Sequence, residues 1–273
     1  MDPIYVTKAS GGQEPFSDEK LRQSIILSGV PEHLRDAAFG YVKGLSHAGI
    51  TTEQIYKHIG AFLSSSRLPR IRHNLKRALF EFGPTGFPFE KFIGAILSRD
   101  GFSVQTDVIL TGRCVTHELD VIAVKENTHI LIECKFHNQP GARTGIKVAM
   151  YTWARFHDLS QKQSMQNDGH KFHEIWLVTN TKCTTDAIAY ANCMGVKIVS
   201  WGYPDTGNLA QRIEQKKLYP VTCLSSIKTY HKKLLIDQGI VLCKDLLGNG
   251  VAFKLLNLKN EEEEALKREI ESL

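Results

Sequence analysis

The stretch Glu118-Leu-Asp120-Val-Ile-Ala-Val124-Lys-Glu-Asn-Thr-His129-Ile-Leu-Ile-Glu133-Cys-Lys135 sets two short apolar runs on either side of Lys125-Glu126-Asn127-Thr128. Runs of this length and β-branched content, separated by turn chemistry, predict a β-hairpin. If Glu126-Asn127 is a two-residue turn, Lys125 pairs with Thr128 and Asp120 falls opposite Glu133. Residues two apart share a sheet face, so Glu133 and Lys135 join Asp120 on one side. Three acid-x-Lys triplets occur in the chain: Asp18/Lys20, Glu133/Lys135 and Glu214/Lys216. The first lies at a helix start and the last in a polar helical stretch; Glu133/Lys135 ends an apolar strand, where ionised groups need a reason to exist. Two readings follow from the residues. Either Lys135 bridges to one of the acids at the strand end, or the facing carboxylates, which repel each other, share a divalent cation.

Working outward, Pro88 opens a helix through Phe89, Phe92, Ile93 and Ile96 to Gly101, and alternation over 102–110 gives a strand before the hairpin. Beyond Gly141 a helix is expected with Ile146, Met150, Trp153 and Phe156 on one side. A buried strand at 174–179, a helix from Thr184 to Met194 closed by Gly195, and a strand at 196–201 complete a helix, three strands, helix, strand, helix, strand order. The fold class is therefore α/β (α+β). Helical patterns at 207–216, 224–238 and 241–247, then a charged stretch at 261–264, give residues 219–273 as a small helical appendage.

Towards the N-terminus, 3–8 reads as a strand, Gly11-Gly12 as a turn, and Ser17-Asp18-Glu19 as the capped start of a helix to about Ser28. Helices from Pro31 to about His47 and from Thr51 to Leu63 complete a module over residues 1–66. Residues 67–83 form a basic helical connector. Arg67, Arg70, Arg72, Lys76 and Arg77 occur there without an acid, an excess equal to the whole chain's net charge of +5. Such a face is solvated, packs on an acidic neighbour, or meets nucleic-acid phosphates. The 273 residues are 42% hydrophobic and 23% charged, an ordinary globular composition that excludes disordered and fibrous classes. No apolar run is long enough for a membrane helix and the start is unlike a signal peptide, so the expectation is a cytoplasmic protein with no membrane partner. The six cysteines form no C-x-x-C pair and are read as free, mostly buried thiols. His170 and His173, near Gly169, are read as loop residues.

Asp120, twelve intervening residues, then Glu133-Cys134-Lys135, behind a helix carrying Glu90, resembles the PD-(D/E)xK nuclease fold in its Mrr-like restriction-endonuclease or Holliday-junction-resolvase branch. The resemblance spans roughly 84–203 within a domain placed at 84–218, and it departs from the family only in Leu119, which stands where proline is usual. It implies a restriction-endonuclease-like αβββαβ core in which Asp120, Glu133, the Cys134 carbonyl and Glu90 hold Mg²⁺ or Mn²⁺. Lys135 would then orient water or stabilise charge, with Lys147 and Tyr151 near the phosphate and His117 and Glu118 in an outer role. DNA, double-stranded or branched, is the implied partner, contacted by Arg67, Arg70, Arg72, Lys76 and Lys147; cutting both strands implies a homodimer or higher oligomer. Residues 3–65, through Val6, Lys8, Gly11, Glu14, Lys20, Thr52 and His58, resemble an ATP-cone, a nucleotide-binding regulatory domain. That resemblance implies ATP or dATP as regulatory ligand, though Ala9, Ser10 and Gly12 stand where the family carries charged residues. A non-cleaving, nucleotide-responsive DNA-binding regulator or an oligomerisation module on the same scaffold is the alternative.

Overall fold

The computed structural model describes residues 4–8, 11–28, 30, 32–63, 75–166 and 171–273. A small N-terminal module comes first. The hairpin β1 (Tyr5–Thr7) and β2 (Gln13–Pro15) precedes α1 (Asp18–Leu27), α2 (Arg35–Gly44) and α3 (Thr52–Phe62). Its helix starts are encoded locally: Ser17 Oγ accepts from Lys20 N–H at 3.3 Å, and Thr51 and Gln54 form a capping box. Leu21, Ile25, Ala38, Val42, Ile59 and Leu63 make its own apolar core.

Helical residues 75–80 (α4) then lead to α5 (Phe87–Arg99), which carries Pro88 in its first turn. A five-stranded sheet follows in the order β3 (Ser103–Thr111), β4 (Thr116–Lys125), β5 (Thr128–Lys135), β7 (Glu174–Thr179), β9 (Val196–Val199). The first three strands are antiparallel and the last three parallel. Two-residue strands β6 (Arg143–Thr144) and β8 (Lys182–Cys183) pair beside the sheet.

One face of the sheet packs on α5 and on the C-terminal helices; Phe89, Phe92, Val121, Ile132, Ile213, Leu235, Leu266 and Ile270 belong to a single apolar cluster. The other face packs on α6 (Ile146–Gln166) and α7 (Thr185–Met194) through Leu119, Ile122, Leu131, Ala149, Leu159, Leu177 and Ala187. Of the expected stripe of α6, Trp153 and Phe156 pack partly buried on this face, whereas Met150 is 47% exposed and Ala149, Thr152 and Leu159 are buried instead.

The C-terminal region comprises α8 (Leu209–Lys216), α9 (Thr229–Asp237), α10 (Gly250–Leu256) and α11 (Asn260–Glu271). The pattern at 241–247 makes only a 3₁₀ turn at Cys243–Asp245. Asn249 caps the true helix, accepting from Ala252 N–H at 3.0 Å. The charged stretch at 261–264 is the solvent side of α11, whose Leu266 and Ile270 are buried. Two of the free cysteines, Cys114 and Cys193, are exposed, while Cys134, Cys183 and Cys243 are buried. Among the described residues no helix is long and apolar enough to cross a membrane.

The β3–β4 turn is held by Asp158 of α6, which accepts from Cys114 N–H at 2.8 Å and Val115 N–H at 3.3 Å and pairs with His117 at 2.8 Å. Gly112 sits against that carboxylate, so a methyl there would collide with it. Gly112→Ala is therefore expected to cost about 1–3 kcal/mol, the usual range for forced extra volume, read as a lowered midpoint in urea unfolding.

Candidate active site

β4 and β5 pair in the expected register, Lys125 with Thr128 and Val121 with Ile132, with Glu126 in the left-handed region at φ 54°. The ladder stops one step short of Asp120 and Glu133. There Asp120 Oδ2 accepts from Cys134 N–H at 2.7 Å, replacing the strand bond with a side-chain bond. Across the other edge of β4, Thr106 pairs with Val121 and Val108 with Leu119, which leaves Asp107 facing Asp120, its backbone at φ 57°. Alternation slips by one across this point. Leu119 and Val121, two residues apart, face opposite layers of the fold. The left-handed backbone of a non-glycine residue in mid-strand is the strain that accompanies the slip.

Pro84, Gly86, Glu90, Asp120, Glu133, Cys134, Lys135, Phe136 and Asn138 line a cleft of about 370 Å³. All four expected catalytic residues, and Cys134 with its carbonyl, are brought together. Glu90 reaches the cleft from the first turn of α5, where a side chain on Gly86 would crowd its Oε1 at 3.0 Å. Glu133 Oε2 accepts from Arg155 Nη1 at 2.6 Å, and Arg155 in turn bonds Tyr151 Oη and lies 4.6 Å over its ring. Lys135 makes no ion pair among the described residues. The strand-end bridge that the sequence left open is therefore made by an arginine two turns into α6, and the Lys135 ammonium is left for the cleft.

The acids dominate the electrostatics. Burial, with Asp120 and Asp107 adding repulsion, pushes Glu90 up to about 7. Burial and then Asp120 push Glu133 up, with Arg155 opposing. Asp120 is raised mainly by burial, against the Cys134 N–H bond and Arg155. Carboxyl groups raised in the fold favour protonation, so without a cation the fold loses stability as pH climbs from the ordinary glutamate value of 4.5 to about 7. A bound divalent ion reverses that loss. The Mg²⁺-induced rise in Tm is accordingly expected to be larger at about pH 8 than at about pH 5.5, where protons neutralise the same oxygens; differential scanning fluorimetry at both values checks it.

Among the described residues no three His, Cys, Asp or Glu side chains close into a metal cage. Two carboxylates and a neighbouring carbonyl make an all-oxygen donor set of the kind that could hold a hard divalent cation. Asp120 Oδ2 and Glu133 Oε2 are engaged by protein donors, so the second oxygen of each could serve a cation.

Other expected residues are placed differently. His117 is tied to Asp158, and His173 Nδ1 accepts from His129 N–H at 3.0 Å; both are structural. Lys147 is exposed at the start of α6. Arg67, Arg70, Arg72 and His170 lie outside the described residues. In the N-terminal module, Val6, Glu14, Lys20 and Thr52 line a second recess of about 90 Å³ with Phe16, Ile55 and Tyr56. Lys8 pairs with Glu14 at 2.6 Å, Gly11 makes the turn at φ 82°, and His58 is half-buried outside that lining. Two site residues escaped sequence reasoning. Asp107 could have been found by extending a β3–β4 hairpin register from the turn at 112–115; Arg155 had no local signal.

Residues 84–202 match the restriction endonuclease family of Mrr catalytic domains, and residues 219–273 match the AF1548-like C-terminal family. An uncharacterised protein of Archaeoglobus fulgidus is 40% identical over 155 residues, 57% of this chain and 83% of that relative. The chain belongs to the AF1548-like family. The crystal structure of AF1548, a protein of unknown function, covers 68% of this AF1548-like chain and 97% of its own, at 34% identity and a TM-score of 0.56. Can2 of Sulfobacillus thermosulfidooxidans, solved in complex with cyclic tetra-adenylate, covers 78% of the chain at 11% identity and a TM-score of 0.35, a level at which likeness bears on neither fold detail nor function. The matched family ranges identify a restriction-endonuclease-like domain joined to an AF1548-like C-terminal region; they leave out residues 1–83, so the ATP-cone resemblance is no part of them.

Proposed function

We propose that this AF1548-like chain is a divalent-cation-dependent DNA endonuclease acting by phosphodiester hydrolysis, with an N-terminal module that binds an adenine nucleotide and tunes the nuclease. The observation that carries the reading is the convergence of Asp120, Glu133, Glu90 and Lys135, which has no ion-pair partner among the described residues, on one cleft. Buried carboxylates that repel one another are costly to keep unless a cation joins them. Mg²⁺ or Mn²⁺, when bound, would neutralise developing charge and activate water. Cys134 N–H and Arg155 hold Asp120 and Glu133 in place from behind, so their free oxygens are fixed before DNA arrives. Glu90, across the cleft, would accept a proton from the attacking water, a role its raised value near 7 suits. Lys135 lies beside the attacked phosphorus, where it orients water and stabilises the extra negative charge. Phe136, packed against Phe89 at 5.8 Å between ring centres, closes the apolar wall. Lys147, exposed near the helix start, and Lys76 suit contact with the DNA backbone, and a homodimer or higher oligomer suits cleavage of both strands.

The test is incubation of the protein with supercoiled plasmid and with a four-way DNA junction, in Mg²⁺ or in EDTA. Cleavage that needs the cation is the expected result. Binding to either DNA without cleavage under both conditions would replace the enzyme with the regulator on the same scaffold.

A further inference from the structure

Two aromatic rings border the catalytic acids without taking part in the chemistry proposed for them. Phe87, at the start of α5, is 46% exposed, and Tyr151, in the second turn of α6, is 52% exposed. A single exposed ring is ordinary on a protein surface. These two differ in that each is held in a fixed direction by contacts that lead into the cleft. Lys91, one turn along α5, lies 4.9 Å over the Phe87 ring. Its ammonium is tied to β3, donating to Thr106 Oγ1 at 3.1 Å and standing 4.0 Å from Asp107, the residue that faces Asp120. Gly86, which precedes Phe87, and Glu90 both line the cleft. From the opposite face of the sheet, Tyr151 Oη accepts from Arg155, whose guanidinium lies 4.6 Å over the ring and donates to Glu133 Oε2 at 2.6 Å. The guanidinium backs one face of the ring, and Tyr151 still keeps half of its surface in water.

Each ring also has a lysine one helical turn away on the same helix face: Lys91 follows Phe87, and Lys147, which is exposed, precedes Tyr151. A ring beside a cation receives an unpaired nucleotide, the base stacking on the ring and the phosphate meeting the charge. Because both rings are already held, little side-chain freedom is lost when a base settles on them.

We propose that Phe87 and Tyr151 are stacking platforms for unpaired bases on either side of the cut, so that the cleft takes DNA with unpaired nucleotides at the scissile phosphate in preference to continuous duplex. The proposal rests on the nuclease reading and adds the substrate class to it. α5 and α6 cover opposite faces of the sheet, so the acids lie between the two rings, and a strand that passes the acids meets one ring before the cut and the other after it. In continuous duplex every base is already paired and stacked, and turning one onto a ring costs an unpairing and unstacking that an unpaired base does not incur. Supercoiled plasmid offers unpaired nucleotides where underwinding opens the duplex, and branched DNA offers them at its branch point.

The experiment is fluorescence anisotropy of one labelled sequence as a single strand, as a duplex and as a duplex with a single-stranded flap, bound by the full chain in Ca²⁺, with single-turnover cleavage of the same DNAs in Mg²⁺. The native protein is compared with Phe87→Leu, Tyr151→Leu and Tyr151→Phe; both rings are about half in water, so leucine is tolerated at either position, and an unchanged Tm verifies it. The expected result is that the native protein binds and cuts the single strand and the flap more readily than the duplex. Each leucine variant then binds the single strand about tenfold more weakly with little change on the duplex, while Tyr151→Phe, which keeps the ring, binds as the native chain does. Equal losses in Tyr151→Phe and Tyr151→Leu would assign the effect to the Arg155 link and overturn stacking. Single-strand binding unchanged by both leucine substitutions, or duplex bound and cut at least as well as the single strand, would overturn the proposal, and cation-dependent cleavage in the same assay would leave the nuclease reading standing. Absence of cleavage of all three DNAs by the native protein would overturn the nuclease reading and the proposal with it.

Discussion

Replacing Lys135 by alanine is expected to lower the rate of the proposed DNA cleavage by about 10²–10³-fold, a loss of ~3–4 kcal/mol of transition-state stabilisation, the amount that removal of one preorganised donor to developing charge costs. The size follows from its situation. Lys135 is the cleft's cation, it has no ion-pair partner among the described residues, and it stands beside acids that would hold a metal. Because it makes no ion pair among the described residues, its removal is expected to spare the fold, and the Tm of the variant to stay near that of the native protein. Glu133→Gln is expected to act at least as strongly but differently. It removes a cation oxygen and leaves Arg155 facing a neutral amide in a largely buried position, where its side chain is only 11% exposed. For this variant raised Mg²⁺ restores little, because the lost interaction is with the ion itself. Single-turnover cleavage across Mg²⁺ concentrations separates the two cases.

The second large effect concerns stability. Glu269 of α11 is fully buried, and its carboxylate accepts from Ser225 N–H at 2.9 Å, Ser225 Oγ at 2.6 Å and Ser226 N–H at 2.8 Å. Burial alone pushes this carboxyl up, but those bonds outweigh it and hold it below the ordinary glutamate value. Glu269→Ala removes the acceptor of the Ser225 and Ser226 N–H groups and opens a cavity between α11 and the segment before α9. The expected cost is about 3–5 kcal/mol, which for a chain of this size is a fall of roughly 10 °C in Tm. The sign with pH follows. The stabilisation is present above the ordinary glutamate value and is lost as pH falls through the lower value of the fold, so the native protein and the variant should converge in strongly acidic buffer. Since this region shares one apolar cluster with α5 and the sheet, the variant should unfold in one transition at a lower temperature, not lose its C-terminus alone.

What could be read from the residues differs by element. The β4–β5 register was legible because Glu126-Asn127 is a short turn flanked by apolar runs, and pleating then fixes which side chains share a face. Asp120, Glu133 and Lys135 followed with it, whereas Glu90, on α5, entered only through the family resemblance. Asp107 was hidden because its place depends on a left-handed backbone in mid-strand, which no propensity encodes for aspartate. Arg155 was hidden because it meets Glu133 across 22 residues of chain, from a helix whose apolar stripe pointed attention to Met150. The shift from 241–247 to Gly250–Leu256 shows local capping outweighing periodicity: Gly248 at φ 82° breaks the chain and Asn249 starts the helix again. The pairing of Arg143 with Lys182 is long-range in the same sense, since strands β6 and β8 bring together residues that lie 39 positions apart.

Cleavage of DNA by Asp120, Glu133 and Lys135 with a divalent ion is the proposed chemistry. Its most direct measurement is the nicking of supercoiled plasmid by the native protein and by Glu133→Gln, purified side by side, as Mg²⁺ is raised from none. The account predicts nicking by the native protein that saturates with Mg²⁺ and vanishes in EDTA, and a variant that stays inactive throughout while keeping its fold. Equal nicking by both proteins, or none by the native protein at any Mg²⁺ concentration, would contradict it.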